Sequence, residues 1–274
     1  MIKEVVRPLK KFGKRLFCGL CYLFLYAPIL VLIVFSFNES KNRARFTGFS
    51  LKWYEDLFHN DLLLGSLWNT LLVAVIASLL ATVLGTIAAV GISGLKKRSR
   101  NMMMNITYLP VINPEIITGV SMMLLFVFLS NLFGWELGFW SVLIAHVTFC
   151  LPYVILNVLP KLRQMDPHLF EAAVDLGCTP TAAFFKVVLP EISTGIFSGL
   201  LMAFTFSLDD FIITYFTSGS SFQTLPVTIY SMVRMKVNPQ VNALSAILFL
   251  AVLALLLLSN LVSSRKEKLE QRAG

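Results

Sequence analysis

Charged residues are scarce in this sequence. Asp, Glu, Lys and Arg make up 14% of its 274 residues, whereas soluble domains contain about a quarter. Hydrophobic residues reach 57%, and the mean hydropathy is +0.76. This balance excludes an ordinary soluble domain. It predicts an all-α membrane protein, because helices satisfy their own backbone groups inside a bilayer.

Motifs for nucleotide, metal and redox chemistry are also missing. No G-x-x-x-x-G-K-[ST] segment occurs, so the chain has no phosphate-binding loop of its own. The three histidines, His59, His146 and His168, are scattered, and no nucleophile–base set can be argued. None of the four cysteines falls in a predicted external loop, so no disulfide framework is implied. We therefore expect no enzyme activity, metal or cofactor in this chain, and an energy source on another polypeptide.

Long apolar runs predict six transmembrane helices. The first, of about 22 residues, is too long for a signal peptide and is interpreted as an uncleaved span. The predicted spans cover residues 16–37, 66–93, 114–132, 139–159, 192–217 and 242–262. They form a single transmembrane domain, 16–263, which needs the lipid bilayer as its solvent.

The basic residues predict the orientation of these spans. With both termini inside the cell, 17 of the 23 Lys and Arg residues lie in cytoplasmic segments and 6 lie in external loops. This asymmetry follows the positive-inside rule. It explains the net charge of +8 without a nucleic-acid partner. Residues 1–15 and 264–274 are thus predicted to be cytoplasmic, together with a loop at 160–190.

That loop contains a moderately polar segment with clear helix signals. Asp166 can cap a helix, and Gly177 can end it in the left-handed conformation. Thr179 can cap a second helix. Pro190 disfavours helix at Leu189, so the second helix is expected to end there. The segment predicts a helix–turn–helix outside the bilayer.

The same segment resembles the EAA loop of ABC-importer permeases. The residues that carry the resemblance are Glu171, Ala172, Ala173, Gly177, Leu189 and Pro190. In that family the loop is the cytoplasmic coupling element and docks into a groove on the ATPase subunit. The alternative is an amphipathic linker that lies on the membrane surface.

The resemblance extends over nearly the whole chain. Residues 138–158, 204–234 and 237–248 are similar to the polyamine branch of these permeases, which transports spermidine and putrescine. The resemblance implies a type I ABC importer permease fold in a bacterial inner membrane. The implied partners are a second related permease, two ATPase subunits that hold ATP and Mg, and an extracytoplasmic polyamine-binding protein. Short helix ends and extended loops within 218–241 would face the binding protein.

Two adjacent carboxylates lie inside the fifth predicted span. Asp209 and Asp210 follow its start by about 17 residues, or roughly 26 Å toward the outer side. Because charges at such depth are costly, they mark a water-filled path or an ion pair. Asp210 continues a small polar stripe with Ser207 and Thr214, so Asp210 is the better candidate for the substrate path. The alternative is a salt bridge to a basic residue on a neighbouring helix.

Other interpretations of the same residues stay open. His146 is a candidate proton or ion site, although we expect a packed histidine bonded to a backbone carbonyl. A proton-coupled secondary transporter could use Asp209 or Asp210 as a relay. An ABC permease for ferric iron or another small solute would fit the loop equally well. Carboxylates and aromatic faces do suit the ammonium groups of a polyamine, since both attract cations.

Overall fold

A computed structural model of the chain describes residues 2–40, 45–166, 168–235, 239–250 and 253, with side chains from residue 14 onward except at 235. Apart from an isolated bridge between Asn38 and Phe49, all regular structure in this part is helical. The long helices are α1 (Ile2–Ser36), α3 (Asp61–Ser93), α4 (Lys97–Ile112), α5 (Glu115–Phe133), α6 (Phe139–Gln164) and α10 (Ser193–Asp209). The short ones are α2 (Lys52–Phe58), α7 (His168–Asp175), α8 (Pro180–Ala183), α9 (Leu189–Glu191), α11 (Ile212–Thr217) and α12 (Leu225–Met235). A further helix covers Pro239–Leu250.

The chain divides into two compact units, and the first contains residues 1–64 and 231–274. Within it, the segment after α1 is tied to α2. The Trp53 indole donates to the backbone oxygen of Asn38 at 2.6 Å, and the hydroxyls of Ser36 and Tyr54 lie 2.7 Å apart. Trp53 is buried by these contacts.

The second unit, residues 65–230, is built around α6. Residues of α6 such as Phe149, Val154 and Val158 are buried among side chains of α3, α5 and α10. Since the apolar residues of α6 recur on several faces, the helix can be covered on more than one side, as the centre of a bundle requires.

Glycines let α3 and α10 approach α6 at one valine. A Cβ added at Gly85 of α3 would lie 2.7 Å from the Val154 side chain, and one at Gly199 of α10 would lie 3.2 Å from the Val154 Cα. A Cβ at Gly195 would lie 2.9 Å from the Asn157 backbone oxygen. The G-x-x-x-G pattern in α10 therefore serves packing within the chain.

Four described helices are long and apolar enough to cross a membrane: Lys14–Ser36, Asp61–Ser93, Glu115–Phe133 and Phe139–Gln164. A fifth candidate is a pair, Pro180–Glu191 with Ser193–Asp209, bent by 66°. The all-α membrane fold predicted from the sequence is confirmed. The predicted sixth span, 242–262, lies largely outside the described residues, and the predicted tail 264–274 lies wholly outside them.

The segment 218–241 differs from its prediction. Short helix ends and extended loops were expected; residues 218–224 form no helix, but residues 225–235 form α12 and a further helix begins at Pro239. Thr224 and Leu225 are buried, and the Leu225 amide donates to the Thr70 hydroxyl of α3 at 2.7 Å. The start of α12 is thus held by a hydrogen bond between two residues that lie far apart in the sequence, Leu225 and Thr70.

Candidate functional site

The loop between α6 and α10 begins with a capped helix. The Asp166 carboxylate accepts a hydrogen bond from the His168 amide at 2.9 Å, which satisfies one of the free N–H groups at the start of α7. The prediction of a helix that starts after Asp166 is confirmed.

Gly177 ends this first helix as predicted. Its φ is +91°, a left-handed conformation that glycine adopts without cost. The Cys178 amide donates to the Ala173 oxygen at 3.1 Å, and the Gly177 amide donates to the Val174 oxygen at 2.9 Å. These two bonds make a complete Schellman motif. The turn is therefore determined by local backbone bonds.

The second half of the loop starts as predicted but ends differently. The Thr179 hydroxyl accepts from the Ala182 amide at 3.3 Å and caps α8. Leu189 was expected to end the helix before Pro190, yet it is helical and the helical run continues to Glu191. A π-helix at Phe184–Val188 lies just before it, and the Leu189 amide bonds to the oxygen of Phe184.

The π-helix explains how Pro190 is tolerated. A proline inside an α-helix lacks an N–H and its ring clashes with the carbonyl four residues earlier. A π-turn widens the helix by one residue, so it relieves both conflicts. The chain then bends by 66° at Ile192, which is fully buried.

The loop exposes one set of side chains and buries another. Glu171 and Ala172 are exposed, whereas Ala173 is buried against the second half of the loop. Leu176 is 88% exposed and Phe185 is 64% exposed, both large values for apolar side chains. The His168 ring lies 3.4 Å from the Glu171 carboxylate, but both side chains are exposed and the pair contributes little.

The fifth predicted span is interrupted at the acidic pair. It was expected to be continuous over 192–217, but α10 ends at Asp209 and α11 begins at Ile212. Asp210 is extended between them, with φ −62° and ψ 126°. Its carboxylate accepts from the amides of Ile213 at 3.2 Å and Thr214 at 2.8 Å, and from the Thr214 hydroxyl at 2.8 Å.

A histidine of α6 completes this arrangement. The Nδ1 atom of His146 lies 2.7 Å from the Ser207 hydroxyl, and its Nε2 atom lies 2.8 Å from the Thr214 hydroxyl and 3.3 Å from the Asp210 carboxylate. His146 is 1% exposed and Asp210 is 7% exposed. We call these four residues the polar cluster. His146 was expected to bond to a backbone carbonyl, and that prediction is wrong because hydroxyls of α10 and α11 occupy both ring nitrogens.

Proton counting assigns the roles within the polar cluster. The Thr214 hydroxyl gives its single proton to Asp210, so its oxygen accepts from the Nε2–H group of His146. The Nδ1 atom of His146 pairs with the Ser207 hydroxyl, which can donate to a neutral ring or accept from a protonated one. Every polar atom of the four side chains therefore has a partner.

Asp209 has the opposite surroundings. It is exposed, as are Met202 and Thr205 on the same face of α10. Next to it in the chain, three rings pack together: Phe211 lies 4.7 Å from Tyr230 and 5.4 Å from Tyr215, between ring centroids. We call these rings the aromatic group. Both tyrosines are exposed by more than two fifths.

The structure thus separates two residues that the sequence placed together. Asp210, Ser207 and Thr214 meet inside the chain, and Asp209 lies on its surface. The role of any of them in a substrate path stays a prediction. His146 was singled out in the sequence but not linked to Asp210. One signal could have linked the two residues: ionisable side chains within membrane spans tend to pair, and His146 and Asp210 lie in different predicted spans.

Comparisons with known proteins give the relatives of this chain. Residues 81–273 match the family described as binding-protein-dependent transport system inner membrane component. The chain is 37% identical over 254 residues to the spermidine/putrescine transport system permease protein PotC of Haemophilus influenzae, with 93% of this chain and 97% of PotC covered. It is 42% identical over 234 residues to the putrescine transport system permease protein PotI of Escherichia coli strain K12, with 84% and 83% covered.

A solved structure supports the fold. A chain of a bacterial ABC transporter involved in the import of the acidic polysaccharide alginate superposes with a TM-score of 0.71, at 19% identity, and the match covers 96% of this chain and 98% of that chain. The resemblance to ABC-importer permeases of the polyamine branch is therefore confirmed, and so is the type I permease fold. The chain belongs to the family of binding-protein-dependent transport system inner membrane components.

Proposed function

We propose that this chain is one permease subunit of an ATP-driven importer of polyamines such as spermidine and putrescine. It forms half of the translocation path, and a second related permease forms the other half. Two ATPase subunits hold ATP and Mg, and an extracytoplasmic polyamine-binding protein delivers the cargo. The complex lies in a bacterial inner membrane. The names of PotC and PotI support the cargo, since both relatives share more than a third of their residues with this chain.

The observation that carries the coupling role is the construction of the loop. Its first helix is capped at Asp166 and closed at Gly177 by a Schellman motif, so its shape does not depend on a partner. The loop nevertheless exposes two large apolar side chains, Leu176 and Phe185. Exposed apolar side chains on a rigid, otherwise polar segment are typical of an interaction surface. The ATPase subunit is the partner that the EAA resemblance implies for this surface.

The cargo role of α10 has a separate basis. Exposed Asp209 is the last residue of α10 and precedes Phe211 of the aromatic group by two residues in the chain. A carboxylate and ring faces both attract an ammonium group, and transport requires contacts that are weak enough to release it. This combination favours a flexible polycation over ferric iron, which prefers several oxygen ligands on one site.

The test is uptake by the reconstituted complex. The permease pair, the ATPase and the binding protein are placed in liposomes, and accumulation of labelled putrescine and spermidine is measured with and without internal ATP. We expect uptake that requires ATP and the binding protein. Uptake driven by a proton gradient without nucleotide would instead support the secondary transporter. ATP-dependent uptake of ferric iron but not of polyamines would keep the permease role and overturn the cargo.

A further inference from the structure

The break between α10 and α11 lacks the usual helix-breaking residues. Residues 208–212 contain neither proline nor glycine, and the stretch is apolar apart from the two carboxylates. A broken helix leaves amides and carbonyls without partners, which is costly inside a membrane. Asp210 compensates for part of this cost, because it accepts the amides of Ile213 and Thr214.

His146 connects the two sides of this break. Ser207 belongs to α10, before the break, and Thr214 belongs to α11, after it. One imidazole bonds to both hydroxyls, at 2.7 and 2.8 Å, and approaches Asp210 at 3.3 Å. Since α6 is the buried centre of its unit, the ring connects both helix ends to the core of that unit.

Burial argues against direct contact between this cluster and cargo. Ser207 and Thr214 are 2% and 0% exposed, and all their polar atoms have partners within the chain. Asp209 is different, since it is the last residue of α10 and is exposed. The orientation of α10 and α11 at the break decides where Asp209 lies relative to the aromatic group.

We infer that His146 is a positioning residue for transport: it fixes the break through Ser207, Asp210 and Thr214, and thereby places Asp209 for the cargo. This inference rests on the proposed function for its transport consequence, but the fixation of the break can be measured without any cargo. The amides of Ile213 and Thr214 report it, because the polar cluster protects them from exchange with solvent.

Three variants separate the contributions of the individual His146 hydrogen bonds to the α10–α11 break. His146→Leu keeps an apolar side chain of similar size but removes both ring bonds. His146→Gln retains an N–H group that can reach Thr214. Ser207→Ala removes only the bond on the α10 side. Thr148→Val is the control, because Thr148 is an exposed residue of the same helix whose hydroxyl bonds to the Ile144 oxygen of its own turn.

The first measurement is hydrogen–deuterium exchange of the assembled complex. We expect His146→Leu to speed exchange in peptides that contain Ile213 and Thr214 by about tenfold, and peptides from α7 to be unchanged. His146→Gln and Thr148→Val should stay near wild type, and Ser207→Ala should lie between. Unchanged exchange in His146→Leu would overturn the inference, as would equal exchange in the Gln and Leu variants. If His146→Leu does not assemble, the same question is decided by comparing exchange in Ser207→Ala with exchange in Thr148→Val. Faster exchange at Ile213 and Thr214 in Ser207→Ala supports the inference, and equal exchange overturns it.

The second measurement is polyamine uptake by the same complexes. A positioning role lowers the maximum rate of His146→Leu about tenfold and changes the half-saturating concentration by less than about twofold, with recovery in His146→Gln. A rise in the half-saturating concentration with normal exchange would show a direct cargo contact and overturn the inference. If the wild-type complex imports no polyamine, the proposed function fails, and the exchange result still decides whether His146 fixes the break.

Discussion

The loop between α6 and α10 and the α10–α11 break both interrupt a helical run, but different contacts hold them. In the loop, Asp166, Gly177 and Thr179 make hydrogen bonds to residues within five positions of themselves. At the break, Asp210 also bonds locally, to the amides of Ile213 and Thr214, but His146 adds contacts to residues 61 and 68 positions away. The loop is therefore specified locally, whereas the break depends in addition on the packing of α6 against α10 and α11.

This difference has a consequence for robustness. A locally specified turn keeps its shape when its surroundings change, as a segment that docks onto another subunit must do. A break that is held in part by His146, a buried side chain of another helix, depends also on the packing of the bundle. Substitutions in the two regions should therefore differ in kind: loop changes affect coupling, and polar-cluster changes affect stability first.

The largest expected effect comes from Asp210→Ala. The change leaves two buried amides and the Thr214 hydroxyl without their acceptor, which we expect to cost about 3 kcal/mol or more. Thermal unfolding of the purified complex should begin at a lower temperature, and the yield of assembled complex should fall. Asp209→Ala is the matched control, since the neighbouring carboxylate is exposed and its loss should leave both quantities near wild type. Equal loss in both variants would contradict the comparison.

Gly177→Val should have the next largest effect, and only on coupling. A β-branched residue at φ +91° is strained by about 1–2 kcal/mol, so the second half of the loop is redirected. The complex should lose cargo-stimulated ATP hydrolysis while the permease still inserts. Gly91→Val is the control, because a Cβ at this exposed position of α3 meets no atom within 4 Å. Normal stimulation in Gly177→Val would show that the loop tolerates another shape.

Thr179→Ala should give a smaller change of the same kind. Loss of the cap hydroxyl costs roughly 1 kcal/mol and frees the Ala182 amide. Hydrogen exchange of residues 180–188 should quicken several-fold without any change at the α10–α11 break. Ser198→Ala serves as the control, since the exposed Ser198 hydroxyl bonds to the Thr194 oxygen of its own turn. Faster exchange at Ile213 in Thr179→Ala would show that the two regions are linked after all.

The smallest effect on stability is expected for Asp209→Asn. The side chain is exposed, so unfolding should change by less than about 0.5 kcal/mol. Its effect should appear in transport instead, because the amide keeps the shape but removes the charge that attracts an ammonium group. The maximum rate of polyamine uptake should fall several-fold, and the half-saturating concentration should change by less than about twofold, as in the variant that misplaces Asp209. Unaltered uptake would remove Asp209 from the cargo path.

The sequence predicted the loop well because its determinants are short-range. The caps at Asp166 and Thr179 and the left-handed Gly177 were all visible as residue types at fixed spacings. The end of the loop was missed, since proline rules describe regular α-helices and the π-helix before Pro190 changes the geometry. These are errors of local backbone detail.

The break at Asp210 could not be predicted from the same kind of signal. No residue there disfavours helix strongly, so the periodic pattern favoured a continuous span over 192–217. The polar stripe was recognised, yet a stripe shows only which residues share a face and not what covers that face. Here α6 covers it, through His146. Long-range pairing was the missing information.

Val154 lies between two glycines, Gly85 of α3 and Gly199 of α10, and this limits how the bundle can move. At these contacts backbone meets side chain directly, without an intervening layer of flexible side chains. A slide by one residue along either interface would bring a larger side chain against Val154 and open voids elsewhere. We therefore expect α3, α6 and α10 to move as one rigid body during the transport cycle. The conformational change would then concentrate at segments outside this three-helix contact, of which the 66° bend at Ile192 is the nearest along the chain.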